Sequence, residues 1–347
     1  MGLKAQLRRW LPLTGKATEN YLLDLQARLI RLEEAMDRVE HTGTENLQRT
    51  NNVFVAKVAQ DEMRFWSLYT REGETLFDAK RRFFAGLPEA TGALRQAQVS
   101  HARLLAQFAD VCEQNGLRYW LAYGTLLGAV RHQGFIPWDD DLDVQMPRQD
   151  FEELESILAE DPGHRLTRVF DRWVLCRQIR FRWSDPADHS FVDIFPVDIL
   201  RLPTGAALDF YVQRRTSLEE ELRALPSPTR QVWEAEPYLD SASEGADIIE
   251  AIFTRHIREA IATDFPDATS EYVMYGIDNQ RLQRLTNSVH RCEAVFPLGM
   301  APFEGSAYTV PADTDLNLRK SYGDYWSLPT DMTTHWKHVE LVETDGD

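Results

Sequence analysis

Four carboxylates lie within five residues, in the stretch IPWDDDLDV at positions 136–144. On an extended backbone alternate side chains share a face, so Asp141 and Asp143 are predicted to project together, with Leu142 and Val144 turned away. Adjacent carboxylates repel each other unless a cation lies between them. Mg²⁺ prefers oxygen ligands of this type. Because apolar residues alternate with the acids, we interpret the stretch as a metal site rather than a solvated acidic loop.

A further acid lies in the apolar stretch FVDIFPVD, residues 191–198. Asp193 has apolar neighbours on both sides, and an unpaired carboxylate buried among them would be costly. On a strand beside Asp141 and Asp143, it would complete a three-carboxylate metal site or act as a general base. The alternative is that Asp193 caps a turn before Pro196.

The elements that must position these acids are predicted from apolar periodicity and turn residues. A buried strand over 118–123 leads to a tight turn at Gly124 and Thr125, followed by a short helix that Gly134 ends. The other predicted elements are a helix over about 92–114 stopped by Asn115-Gly116, a helix over 148–158 opened by Pro147, β-rich runs over 166–183 and 191–198, a helix-patterned region over about 206–290, and a closing helix over 315–322.

The first 90 residues are predicted to form a helical extension. Residues 1–16 are basic and amphipathic, which fits either contact with an anionic membrane surface or a terminus that is frayed or docked on the core. Residues 22–39 carry a short heptad seam that predicts either self-association or packing on the next helix. A helical pattern over 53–84 follows. We place the main domain at 91–340, with the helical region 206–290 as an insert.

Bulk composition restricts the class of protein. The chain has 347 residues, 43% of them hydrophobic, and a formal net charge of −17. That charge argues against nucleic acid as a partner, because nucleic-acid binding needs a basic surface. Three widely spaced cysteines predict no disulfide framework and fit a reducing, cytoplasmic setting. No apolar run reaches the ~18 residues of a membrane span, so any membrane contact is expected to be peripheral, at the inner face.

Three ordered motifs resemble the LicD/fukutin-type phosphotransferase family, a branch of the nucleotidyltransferase superfamily. The segment GTLLGAVRHQGFIPWDDDLDV is similar to the signature of the family, FVDIFPVD to its second motif, and FEGSAYTVPADTDLNLRKSYGDYW to its C-terminal motif. The resemblance covers about residues 92–335. It implies an α+β fold, with a nucleotidyltransferase-like mixed sheet flanked by helices.

The resemblance also implies a reaction and a set of residue roles. A phosphocholine or phospho-polyol group would pass from a CDP-linked donor to a hydroxyl of a glycan or lipid-linked glycan, with release of CMP. Mg²⁺ or Mn²⁺ would be held by Asp141, Asp143 and Asp193. The other implied roles are catalysis for Asp139, Asp193 and His132, and substrate binding for Gly124, Thr125, Arg131, Trp138, Arg319, Lys320 and Tyr322.

Two alternatives remain open at this point. A nucleotidyltransferase with the same ligands would leave a nucleotide monophosphate on its acceptor. A non-catalytic protein would use the N-terminal helices for assembly. The observation against this second alternative is that the chain has all three acids and the Gly124-Thr125 pair. The mass of the product distinguishes the nucleotidyltransferase from the phosphotransferase. Substitution of the acids distinguishes the non-catalytic protein from an enzyme.

Overall fold

The computed structural model describes residues 50–329 except 236–237, 244, 264, 266–267 and 280–288. The chain divides into two compact units, Met1–Leu76 and Phe77–Asp347. In the first unit, residues 50–69 form helix α1. The basic segment 1–16 and the heptad seam 22–39 lie outside the described residues, so the expectations of membrane contact and self-association stay predictions.

A mixed sheet of eight strands forms the centre of the second unit. Strands β1, β2, β5, β4, β3 and β6 follow one another in that order, and β7 pairs with both β5 and β8. Only β2 and β5 run parallel among the described pairs. The strands are β1 (Trp120–Leu121), β2 (Asp143–Pro147), β3 (His164–Asp171), β4 (Cys176–Trp183), β5 (Val192–Leu202), β6 (Tyr238–Asp240), β7 (Ser270–Tyr275) and β8 (Val289–Arg291). A separate hairpin consists of β9 (Gly299–Phe303) and β10 (Ser306–Val310).

Helices cover the sheet and confirm the predicted mixed sheet flanked by helices. They are α2 (Leu76–Ala85), α3 (Gly92–Asn115), α4 (Tyr123–Arg131), α5 (Arg148–Leu158), α6 (Ala207–Arg223), α7 (Ser227–Ala235), α8 (Ala246–Ile261), α9 (Cys292–Val295) and α10 (Thr314–Tyr322). One core lies between the sheet and α3, α4 and α5. A second core joins α6, α7 and α8 to Phe170, Leu239 and Tyr272 of the sheet. Burial of these apolar side chains supplies the main favourable term in folding.

Local sequence explains where the site-bearing helices start and stop. Helix α3 ends at Asn115 because Gly116 adopts a left-handed conformation, with φ 68°, and its N–H bonds to the carbonyls of Cys112 and Glu113. Helix α5 begins directly after Pro147, as predicted. Among the described residues, no helix has both the length and the apolar composition needed to cross a membrane.

Three expectations about elements need correction. The helical pattern of 53–84 is broken, because residues 70–75 turn the chain around Gly73, which has φ 78°. Residues 206–290 are not helical throughout, since β6, β7 and the start of β8 fall within them and join the sheet. The Gly124-Thr125 pair does not form a separate turn. It lies in the first turn of α4, after Tyr123 at φ 42°.

Candidate metal and phosphotransfer site

The register of two parallel strands brings the main carboxylates together. Asp143 at the start of β2 lies directly opposite Asp193 near the start of β5. Asp141, just before β2, joins them, so that one carboxylate oxygen of each residue lies within 4.8 Å of the others. Asp141 therefore precedes the strand on which it was predicted, but its side chain still faces the same point.

Backbone hydrogen bonds hold the two strands at this register. The amide of Asp193 donates to the Leu142 carbonyl at 2.7 Å, and the amide of Ala122 donates to the Asp143 carbonyl at 3.0 Å. The Asp143 amide donates to Oγ1 of Thr125 at 2.8 Å. Thr125 thus fixes the backbone of a carboxylate residue, a structural contact that the sequence did not predict.

The site is crowded with negative charge. Asp143 and Asp193 are only 8% and 9% exposed. Burial, followed by the charges of Asp141 and Asp193, raises the pKa of Asp143 well above its ordinary value. Burial and the charges of Asp141 and Asp140 likewise raise the pKa of Asp139. Buried carboxylates that repel one another fit a divalent cation, which removes that repulsion and accepts their oxygens as ligands.

A second group of three acids overlaps the first. Asp139, Asp140 and Asp141 also place one oxygen each within 4.8 Å of one another, and Asp141 is common to both groups. Asp139 is therefore adjacent to the predicted metal ligands but separate from the set formed by Asp141, Asp143 and Asp193.

Arg180 on β4 is a site residue that the sequence analysis missed. Its Nε donates to Oδ1 of Asp193 at 2.9 Å, and its guanidinium lies 4.0 Å from the centre of the Phe191 ring. Arg180 also lowers the pKa of Asp143, against the raising effect of burial. The alternation Ile179-Arg180-Phe181-Arg182 shows a cation on one face of a strand, but only the register of β4 with β5 shows which acid it meets.

Glycine at position 124 allows a close approach between helix α4 and residues 133–142, the acidic loop that leads from α4 to β2. A Cβ atom there would lie 2.6 Å from Oδ2 of Asp139, a separation that forces one of the two groups to move. The group closest to this helix start is therefore the Asp139 carboxylate. The predicted phosphate contacts of Gly124 and Thr125 stay predictions.

Arg131 and His132 lie at the end of α4, in contact with Phe84. Nη1 of Arg131 donates to the Tyr325 carbonyl at 2.9 Å, and its guanidinium lies 4.2 Å from the centre of the Phe84 ring. Burial lowers the pKa of Arg131 to about 10, while Tyr322 and Asp139 act to raise it. Arg131 is therefore within electrostatic reach of the acidic loop.

The surroundings of His132 do not include a described contact with the carboxylates. Its Nδ1 lies 3.0 Å from the Phe84 carbonyl, and burial, followed by the charge of Arg131, lowers its pKa to about 4. At neutral pH His132 is therefore neutral. Its catalytic role stays a prediction.

The remaining predicted binding residues are dispersed. Trp138 packs against the core next to α3–α5. On α10, Nε of Arg319 donates to Oδ2 of Asp315 at 2.7 Å, and Nζ of Lys320 donates to the Val289 carbonyl at 2.7 Å. Tyr322 is near enough to Tyr123 and Arg131 to raise the pKa of each. Of the three residues on α10, Tyr322 is thus the one with a described link to the site.

A clamp from outside the acidic loop was also missed by the sequence analysis. We use the word clamp for Arg95, Gln98 and Glu304. Gln98, 1% exposed, donates to the Asp139 carbonyl at 2.9 Å. Glu304, in the β9–β10 turn, accepts from the Phe135 amide at 3.2 Å and from two nitrogens of Arg95 at 3.1 and 2.9 Å. The sequence signal for the clamp was Glu304, the glutamate before Gly305 in the C-terminal motif. Its partner Arg95 lies 209 residues earlier in the chain.

Comparison with known proteins gives a family-model match to the part of the chain that carries the carboxylates, and matches to several curated relatives. The family model for the LicD/FKTN/FKRP nucleotidyltransferase domain matches residues 116–233. Lipopolysaccharide cholinephosphotransferase LicD of Haemophilus influenzae is 35% identical over 122 residues, 30% of this chain and 44% of the relative. Ribitol 5-phosphate transferase FKRP of Homo sapiens is 35% identical over 89 residues, 25% of this chain and 18% of the relative.

A longer but weaker match is to mannosyltransferase regulator 4 of Saccharomyces cerevisiae, 26% identical over 208 residues, 54% of this chain and 17% of the relative. In each case the chain spans less than half of the length of the curated relative.

Proposed function

We propose that the protein is a metal-dependent phosphotransferase, because residues 116–233 match the family model of the LicD/FKTN/FKRP nucleotidyltransferase domain. It moves a phospho-alcohol group, of the phosphocholine or phospho-polyol type, from a CDP-linked donor to a glycan hydroxyl and releases CMP. The reaction belongs to the modification of a cell-surface polysaccharide or lipopolysaccharide.

One observation supports the proposal most strongly, namely the direct pairing of Asp143 with Asp193 and the approach of Asp141 to both. These acids and Arg180 all lie inside the matched domain. Two relatives are named for the transfer of phosphocholine and of ribitol 5-phosphate. A phosphate attached to a small alcohol is the group common to both names, and it is the group that we assign to the donor here.

Asp141, Asp143 and Asp193 would hold the metal ion. When bound, Mg²⁺ or Mn²⁺ supplies positive charge that stabilises the diphosphate and the leaving group. Arg180 keeps the Asp193 carboxylate oriented through its 2.9 Å hydrogen bond. The chain itself therefore contributes fixed ligands and a fixed cation, the positioning and charge stabilisation that phosphoryl transfer requires.

The transfer balances as a single displacement. The acceptor hydroxyl oxygen forms a bond to the phosphorus that carries the alcohol, and the bond from that phosphorus to the bridging oxygen breaks. CMP leaves with the electron pair, and the hydroxyl proton goes to a carboxylate. We assign that proton to Asp139, because its carboxylate lies next to Asp141 but outside the set of three predicted metal ligands, so it can act as a general base.

The proposal extends to the setting of the enzyme. A cytoplasmic protein that meets its glycan or lipid-linked glycan at the inner face of a membrane fits the sequence predictions for residues 1–16. Arg131 and Tyr322 would border the donor, since both have electrostatic links to site residues. Arg319, Lys320 and Trp138 remain predicted donor contacts.

The test is incubation of the full chain with Mg²⁺, CDP-choline or CDP-ribitol, and candidate glycans, with CMP measured by chromatography and the glycan by mass spectrometry. We expect CMP release that depends on the glycan and a product heavier by the phospho-alcohol. The Asp143→Asn variant is the matched negative control. A product heavier by a nucleotide monophosphate would show the alternative, a nucleotidyltransferase. Folded wild-type protein that releases no CMP with any donor would contradict the donor assignment.

A further inference from the structure

The sheet face that carries the carboxylates continues sideways into arginines. Residues directly opposite each other on neighbouring strands project to the same face. Asp143 is opposite Asp193, Asp193 is opposite Arg180, and Arg180 is opposite Thr167. One row across four strands therefore reads acid, acid, cation and hydroxyl.

The next row on the same face holds two more cations. Arg182 lies two residues after Arg180 on β4, so both side chains point to one side. Arg165 on β3 is directly opposite Arg182. We call Arg165, Arg180 and Arg182 the arginine face. The chain as a whole has a net charge of −17. The three arginines on one face make the charge beside the carboxylate site locally positive.

Arg182 has polar contacts but lacks a paired acid. Its Nε donates to Oγ1 of Thr167 at 3.2 Å, and its Nη1 donates to the His189 carbonyl at 3.3 Å. The neighbouring acid, Asp193, is paired with Arg180 instead, and among the described residues no salt bridge includes Arg182. The Phe191 ring is shared, with Arg180 at 4.0 Å and Arg182 at 5.3 Å from its centre.

This environment is unfavourable for a cation without an anionic ligand. Burial, followed by the charges of Arg180 and Arg165, lowers the pKa of Arg182 to about 10, although the charges of Asp193 and Asp188 partly oppose this. Arg180 donates its hydrogen bond to Asp193, so the charge of that carboxylate is balanced by Arg180 and not by Arg182. A half-buried arginine beside two other arginines has the character of an anion-binding residue.

We propose that the arginine face binds the diphosphate of the substrate, with Arg182 as the principal contact, Arg180 as the residue that positions Asp193 next to it, and Arg165 as the outer cation. The inference rests on the proposed function and deepens it. A divalent ion and Arg180 together balance Asp141, Asp143 and Asp193, so the charge of a diphosphate needs further cations. A guanidinium matches phosphate geometry through two parallel N–H groups.

The experiment measures binding without requiring transfer. The full chain with Mg²⁺ is titrated calorimetrically with inorganic pyrophosphate, CMP and CDP-choline, and with cytidine as an uncharged control. We expect Arg182→Gln to weaken binding of pyrophosphate and CDP-choline about 10- to 100-fold, and Arg182→Lys to weaken it less, since the charge remains but the planar fork is lost. Arg103→Gln is the matched control, because it removes the same charge from an exposed position on α3.

Thermal unfolding of each variant verifies that it is folded before it is titrated. Unchanged pyrophosphate affinity in folded Arg182→Gln would overturn the arginine face and leave the phosphotransferase proposal standing. An equal loss in Arg103→Gln would also overturn it, because the effect would then be general electrostatics. Wild-type protein that binds none of the phosphate compounds would overturn both proposals, whereas CMP release by wild type with an unaltered KM in Arg182→Gln would overturn only this one.

Discussion

Asp143 brings an energetic conflict into the folded protein. Its pKa is raised by burial and by two neighbouring carboxylates, so in the metal-free protein the folded state binds protons more tightly than the unfolded chain does. The resulting stability is present below the unfolded pKa of about 3.9 and is lost as the pH rises through the folded value. A divalent cation bound by these carboxylates would remove this penalty.

The first prediction concerns Asp143→Asn. Transfer activity should fall about 10²- to 10³-fold or more, since a metal ligand supplies several kcal/mol of charge stabilisation. In EDTA, the variant should lose less stability than wild type as the pH rises above about 4. Denaturant unfolding across this pH range, with and without Mg²⁺, measures the effect.

Asp110→Asn on α3 serves as the control for Asp143→Asn, because Asp110 is exposed and distant in sequence from the acidic loop. Addition of Mg²⁺ should stabilise wild type and Asp110→Asn but not Asp143→Asn. An equal Mg²⁺-dependent gain in all three proteins would show that Asp143 is not a metal ligand.

The second prediction concerns Gly124→Ala. The added Cβ would lie 2.6 Å from Oδ2 of Asp139, so the carboxylate or the start of α4 must shift. We expect kcat to fall about 10²-fold, the usual effect of a displacement near 1 Å at a reacting centre, while the protein remains folded. In Gly299→Ala the new Cβ meets its nearest atom, Cγ2 of Val310, at 3.6 Å, so activity should be unchanged. Full activity in Gly124→Ala would refute the role of this close approach.

At the scale of elements, the acidic loop is held by a helix and a hairpin that are far apart in sequence. Gln98 on α3 reaches the Asp139 carbonyl, and Glu304 in the β9–β10 turn reaches the Phe135 amide. Arg95 bonds to Glu304 and to Gln98, so the two supports are connected. The C-terminal motif FEGSAY thus contributes to the site by orienting the loop.

The third prediction tests this clamp with two glutamates that share one partner. Arg95 pairs with Glu304 at 2.9 Å and with Glu89 at 3.3 Å, but only Glu304 also bonds to the loop. Glu304→Gln should weaken Mg²⁺ affinity about 10-fold, as removal of outer partners of metal ligands commonly does. Glu89→Gln should leave the affinity unchanged. Mg²⁺ affinities from thermal shifts, together with separate kcat and KM values, distinguish loosening of the loop from loss of fold.

Some elements were predictable because their signals are local. The helix predicted over 92–114 is observed at Gly92–Asn115, and the helix predicted after Pro147 is observed at Arg148–Leu158. Strands β6 and β7 were missed, because each is short and its pairing partner lies far away in sequence. The pairing of Arg180 with Asp193 was missed for the same reason, since cross-strand register is not written in either strand alone.

At the scale of the whole molecule, a buried ion network links two helices to two strands of the sheet. Asp278, 0% exposed, accepts from Nη2 of Arg148 at 2.9 Å and from Nη2 of Arg177 at 2.6 Å. Arg148 also bonds to Asp198 on β5, and Arg177 bonds to Glu250 on α8. The network joins α5, β4, β5 and α8 near the end of β2 that lies away from the carboxylates. Four residues of strand separate Asp143 from that end, a distance of about 13 Å.

The last prediction follows from this network. Although burial alone would raise the pKa of Asp278, its two arginines hold that pKa well below the ordinary value. The contribution of Asp278 to stability is therefore present above the unfolded pKa of about 3.9 and is lost as the pH falls toward the lower folded value. Asp278→Asn leaves two buried arginines short of an anion and should destabilise the protein by about 3–5 kcal/mol at pH 7.

The destabilisation in Asp278→Asn should shrink as the solution is acidified below about pH 4, because wild type then begins to lose the same charge. Denaturant titrations of both proteins at several pH values measure this, and Asp240→Asn, at an exposed position on β6, is the control. Turnover per folded molecule should be unchanged, since the network lies away from Asp143 and Asp193. A large fall in turnover with unaltered stability would instead place Asp278 in the catalytic apparatus and contradict a purely structural role for the network.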